Sequence, residues 1–176
     1  MTRDALRSDL REKLLVVMDG KHHAAFPHLT RPGLAREQLL VHFRHELHTY
    51  VRDFPVLLSR ILGQGPPAAV RAALAENIYE EQTGKLSIGR PHPELFLEMM
   101  EGLGFRREEL ESHVPRLEPE AFDYRLFLDE ASARSPWIVG CAVLTIFVEG
   151  SVHERAEMAG TRTHLPVEEA IAASWT

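Results

Sequence analysis

Leu40, Phe43, Leu47, Tyr50, Phe54, Leu58 and Ile61 recur at intervals of three and four along one row. That spacing puts them on one side of a helix, and it is wrong for a strand, which needs alternation. Leu6, Leu10, Leu14 and Val17 repeat the pattern near the start of the chain. No stretch alternates convincingly between apolar and polar residues. The expected fold class is therefore all-α, a compact helical bundle with short connections. Pro55 falls inside the long row and predicts a kink there.

Proline and glycine punctuate the rest. The segment His28–Gln38 reads as a linker into the long row, and "GQGPP" (Gly63–Pro67) ends that row. Pro66 or Pro67 can open a helix that runs to Thr83, with Gly84 as its terminator. Pro93–Leu103 is expected to be helical, with Gly104 after it, followed by a short helix over Arg106–Glu111. Glu118–Ala133 is helical as well. Ser135 and Pro136 predict the cap and first turn of a long helix from Trp137 to about Met158. Val167–Ala173 predicts one more. A chain of 176 residues suits one hydrophobic core and is short for two, so residues 1–176 are expected to form a single domain.

Composition excludes several functions. The net charge of −6 offers no basic field for nucleic acid. Cys141 is the sole cysteine, which rules out an internal disulfide and a zinc site built on several thiolates. It fits a reducing, cytoplasmic setting. The charged, amphipathic start of the chain does not read as a secretory signal. The longest apolar run, Trp137–Val148, has 12 residues. A bilayer-crossing helix needs about 20, so the run reads as a buried helix and no membrane partner is expected.

The chemistry concentrates in "ENIYEEQTGKLSIGRPHPELF", Glu76–Phe96. Glu76 and Glu80 share a helix face, and so do Asn77 and Glu81. Glu80 and Glu81 point about 100° apart, so one of them can easily turn inward. Downstream, Glu149 and His153 form an i, i+4 pair on the expected long helix, in line with Cys141 and Thr145. A glutamate at the edge of such an apolar helix needs a metal, an arginine or a proton to neutralise it. Glu81, His92, Glu149 and His153 offer two carboxylates and two imidazoles from separate elements. That mixture suits iron or manganese better than zinc or calcium. The other readings are solvated glutamates, a His92 that merely neighbours a helix cap, and a Glu149 paired with Arg155. The Glu-x-x-His spacing of ferritin-type bundles is absent.

His42, His45 and Glu46, with Tyr50 a turn further on, form a second polar cluster. They read either as the wall of a cofactor pocket or as a polar flank shared with Arg44, His48 and Arg52. Ser151 lies near His153 without an identifiable acid partner, and no strand–turn–helix elbow accompanies it. No catalytic residue is assigned.

"GLAREQLLVHFRHELHTYVRDFPVLLSRIL", "ENIYEEQTG", "HPELFLEMMEGLG" and the apolar helix ending "EGSVHERAE" together resemble the heme-oxygenase-like helical superfamily. The similarity is greatest to the branch holding the iron-containing redox enzymes, the diiron oxidases and relatives of the pyrroloquinoline-quinone biosynthesis protein C. It covers residues from about 25 to 160, and its "ENxxEE…HxELF" block is the most specific part. The resemblance implies that Glu81 and His92 ligate metal, with Glu80 the alternative to Glu81 by one residue. It implies a further glutamate ligand at Glu149 and a weaker candidate at His153. It also implies a last His/Asp/His ligand group on a C-terminal helix, which the bundle is expected to lack.

The implied activity is an iron-dependent oxidation of a small organic molecule by dioxygen, in a protein expected to pair as a homodimer. Arg44, Arg71 and Arg125 are candidates for holding an acidic substrate. Two other functions stay open. One is a metal-free oxidase of the quinone-biosynthesis type, and the other a non-catalytic small-molecule-binding scaffold. The iron reading requires Glu81, His92 and Glu149 to turn inward toward a common point.

Overall fold

A computed structural model describes residues 2–29, 33–111, 117–161 and 166. Every regular element among the described residues is helical: α1 (Arg3–Asp19), α2 (Phe26–Leu29), α3 (Arg36–Glu46), α4 (Phe54–Gly63), α5 (Ala68–Thr83), α6 (His92–Gly102), α7 (Arg107–Glu111), α8 (Pro119–Ala133), α9 (Trp137–Cys141) and α10 (Glu154–Met158). Two π-helical segments, Leu47–Val51 and Ala142–Val148, extend α3 and α9. The expected helix over Val167–Ala173 lies outside the described residues. No helix among the described residues is long and apolar enough to cross a membrane. Two compact units are distinguished: Ala35–Leu144, and Met1–Leu34 with Thr145–Thr176.

Within Ala35–Leu144, the row from Leu40 to Ile61 makes two helices and not one kinked helix. α3 passes into its π segment, and α4 starts afresh at Phe54 with Pro55 in its first turn. Proline lacks an N–H, and its ring crowds the carbonyl four residues back. Both penalties vanish in a first turn, where that N–H has no helical partner. α4 then packs on α5, α8 and α9. Its Phe54, Leu57, Leu58 and Ile61 are all buried. Gly140 lets α9 come close: a Cβ there would lie 2.8 Å from the Ala131 carbonyl and 2.9 Å from Ile61 Cγ1.

A second cluster joins α3, α6 and α7 through Phe43, Leu47, Leu97, Met100, Phe105 and Leu110. The Phe43 ring meets Phe96 and Phe105 edge-on, at centroid distances of 6.2 and 6.1 Å. Those separations are normal for favourable aromatic pairs.

In the other unit, α1 contacts α10. Arg155 forks onto Glu12 at 2.7 and 3.0 Å and reaches Asp19 at 2.7 Å. Met18 is the buried residue of α1, whereas Leu6, Leu10 and Val17 stay about half exposed. The long helix expected from Trp137 to Met158 is not continuous: the π segment ends at Val148, and α10 restarts at Glu154. At the break, Lys21 Nζ donates to the carbonyls of Phe147 and Gly150. Gly150 packs closely there: a Cβ would be 2.6 Å from Met18 Cε. At the start of α9, Pro136 and not Ser135 occupies the cap position.

An ionic chain crosses the first unit. Arg52 Nη2 lies 2.8 Å from Asp53, and Arg125 Nη1 reaches the same carboxylate at 2.7 Å. Arg125 Nε continues to Asp129 at 3.1 Å, and Arg60 closes on Asp129 as well. The Arg52 guanidinium, with Arg125 behind it, holds the Asp53 carboxyl down from 3.8 to about 2. A carboxyl with a lowered folded value contributes stability that is complete above its unfolded value. That contribution is lost as pH falls through the folded value. Stability should therefore drop between pH about 4 and about 2, and Asp53→Asn should flatten the drop while lowering stability at neutral pH. Urea unfolding at stepped pH measures this. An unchanged slope in the variant would assign the acid lability to other carboxylates.

Candidate functional site

α5 ends at Thr83 because Gly84 adopts the left-handed conformation, φ 60°, and donates its N–H to the Glu80 carbonyl. A side chain there would be strained. Space forbids one too, since a Cβ at Gly84 would fall 1.9 Å from the Arg90 carbonyl. The turn continues with Ser87 N–H to Gly84 O at 3.0 Å and Gly89 N–H to Gly84 O at 2.7 Å. Pro91 then caps α6, and His92 with Pro93 forms its first turn. The chain thus folds back at once, bringing His92 over the end of α5.

Both glutamates face that imidazole. His92 Nδ1 lies 2.8 Å from Glu81 Oε1, and His92 Nε2 lies 3.5 Å from Glu80 Oε1. Glu81 is the inward one, 9% exposed. Glu80 belongs to the turn: it accepts the Leu86 N–H at 2.7 Å and the Ser87 hydroxyl. The Ser87 hydroxyl, then the Leu86 amide and His92, hold the Glu80 carboxyl below the usual glutamate range.

Glu149 and His153 lie in the other unit and do not share a helix face as expected. Glu149 follows the second π segment, His153 caps α10, and both are exposed. Burial lowers the Lys21 ammonium, and the nearby charges of Glu149 and Glu154 oppose that shift.

The second polar cluster divides. Glu46 joins His42 Nε2 at 3.6 Å and accepts the Tyr50 hydroxyl at 2.9 Å, so these three form one line. His45 turns to the main chain. Its Nε2 accepts the Glu118 N–H at 3.1 Å, which leaves Nδ1–H to donate to the Val41 carbonyl at 2.6 Å. Of the arginines considered for an acidic substrate, Arg44 donates twice to the Glu109 carbonyl and Arg125 holds Asp53 and Asp129. Arg71 is exposed and makes no ion pair among the described residues.

His48 is a residue the sequence does not single out. It is buried in the first π segment, where Nδ1 accepts from Arg52 at 3.0 Å, so Nε2–H donates to the Leu110 carbonyl at 2.8 Å. Burial first, then the charges of Arg52 and Arg44, depress its basicity and keep it a neutral imidazole. The run His45–His48 beside two arginines reads as surface, and nothing in its spacing marks one histidine as buried.

A family of iron-containing redox enzymes matches the chain over residues 41–167. The chain belongs to that family. Its all-helical architecture agrees with the heme-oxygenase-like fold class. No curated protein and no solved structure shows significant similarity to it. The family name implies iron, and the donors on the page can be tested against that. A buried carboxylate beside an imidazole is the mixed oxygen–nitrogen set that suits iron. Glu81 and His92 are donors of those two types. They do not complete a site: His92 turns one nitrogen to each glutamate, so the three groups share no common point. Among the described residues, no group of three or more His, Cys, Asp or Glu side chains is placed to hold a metal ion.

The whole arrangement depends on Gly84. Gly84→Ala should destabilise the protein by about 2 kcal/mol or more, combining left-handed strain with overpacking. Chemical denaturation checks this, and a variant as stable as the parent would show that the turn tolerates a shifted Arg90.

Proposed function

We propose that this protein is an iron-dependent, dioxygen-using oxidoreductase acting on a small organic molecule. The observation that carries the reading is the buried Glu81 carboxylate 2.8 Å from His92 Nδ1, inside the span that matches the family. Bound iron would supply the reduction of dioxygen. The chain's own contribution begins with Glu81, whose charge loses its water on burial and gains from a cationic neighbour. His92 offers that neighbour a nitrogen from the first turn of α6, a rigid element, so the two donors come from different helices.

The test is anaerobic loading with ferrous iron, followed by metal analysis and oxygen uptake. The wild-type chain is expected to retain iron and then to consume oxygen. Glu81→Ala and His92→Ala should each weaken retention by about tenfold or more, at least the loss seen when a ligand's supporting partner is removed. Equal retention in both variants would place the iron elsewhere and sink the assignment.

A further inference from the structure

We infer that the hollow between α1 and α10 is a binding site for a single-chain anionic amphiphile, a carboxylate on a medium-length alkyl tail. The cavity measures about 280 Å³. Its walls are apolar: Leu10, Leu14, Leu15 and Met18 from α1, with Ile146 and Met158 completing them. The α1 members recur at three and four residues, so they form one stripe along the helix. Leu10 and Met158 remain 51% and 46% exposed, one on each helix. Apolar area left in water on both sides of a hollow gains free energy when a ligand covers it. A volume near the lower end for ligand pockets admits one alkyl tail and not two.

Charge decides the occupant. Arg7 and Arg11 stand one turn apart and line the same hollow. Among the described residues, Arg7 makes no side-chain hydrogen bond or ion pair, and Arg11 Nη2 reaches the Met158 sulfur alone, at 3.8 Å. Asp4, a turn before Arg7, pairs with neither. The third arginine of the seam, Arg155, is already satisfied by Glu12 and Asp19. Glu154, the acid that lines the hollow, accepts the Ser151 N–H at 3.1 Å. Two guanidiniums without a carboxylate, beside walls of hydrocarbon, match an anionic head on an apolar body. The arginines lie toward the start of α1 and Met18 near its end. The head therefore belongs at Arg7 and Arg11, and the tail points toward Met18 and Ile146. From Arg7 to Met18 the helix rises about 16 Å, enough for a medium alkyl chain and its carboxylate. α1 precedes residue 41, where the family match begins, so the site is a feature of this chain's own first helix. It does not depend on the iron reading.

The experiment uses the full chain with ¹³C-labelled methionine methyl groups and decanoate as the probe, titrated below its micelle concentration. Decanoate should shift the Met18 and Met158 methyls in one saturable step and leave Met99 and Met100 in place. Octanoate, two methylenes shorter, should bind about tenfold more weakly. Decanol carries the same tail without the charge and should bind several-fold more weakly than decanoate. The double variant Arg7→Gln, Arg11→Gln should bring decanoate down to the level of decanol. Both arginines are exposed, so the variant keeps the fold. Any of four results would overturn the inference. The first is no saturable shift at Met18 and Met158. The second is a shift of Met99 and Met100 along with them, the mark of a detergent effect. The third is equal affinity for decanol and decanoate, or undiminished decanoate binding in the double variant, which would remove the arginines from the site. The fourth is movement of the Met18 and Met158 methyls with protein concentration alone, which would give the face to a second copy of the chain.

Discussion

A carboxylate stripped of water must find a compensating partner, and Glu81 finds it in His92. Most of the local architecture follows from satisfying that demand. The chain reverses immediately after α5, which requires a left-handed residue with no side chain, and Gly84 supplies it. The reversal has to be held, and Glu80 holds it through Leu86 and Ser87. The next helix must begin at the imidazole, and Pro91 and Pro93 fix its start there. Each piece is ordinary alone. Together they place an imidazole between two neighbouring glutamates that would otherwise point apart.

Charge is handled differently around α4 and α8. There, Asp53 and Asp129 are each gripped by two arginines, and Arg125 joins the two. Single surface ion pairs contribute little, but a chain of them on rigid helices has lost much of its side-chain entropy already. The first π segment, α4 and α8 are linked at their polar edge by this chain, while Phe54, Leu57 and Leu128 fill the interior. The neutral His48 belongs to the same region. With one ring nitrogen on Arg52 and the other on the Leu110 carbonyl, it spans from the ionic edge to the end of α7.

How much of this is legible in the sequence depends on where proline and glycine stand. α5 and α6 are readable almost to the residue, because Pro67, Gly84, Pro93 and Gly104 mark their ends. The all-α class follows from spacing alone. The two long apolar rows mislead because spacings of three and four continue through a π segment as readily as through an α-helix. A π turn absorbs one extra residue without breaking the row. The row from Leu40 to Ile61 hides its break for that reason, and the run after Trp137 hides its end. Glu81 and His92 can be picked out as a pair, since a buried glutamate near a turn needs a partner. The separate duty of Glu80 is not legible, because it depends on the turn folding back over its own helix. Nor is the split of the His42–Tyr50 cluster, which follows from where the Glu118 amide arrives.

The first π segment also bears on how this chain can vary in length. Its five residues wind more loosely than an α-helix, so a single-residue deletion between Leu47 and Val51 can be absorbed by tightening back to α geometry. The same deletion inside α4 has no slack to draw on and would rotate every buried side chain before it by about 100°. Related sequences that differ by one residue should therefore carry the gap in that loosely wound stretch and leave α4 at constant length.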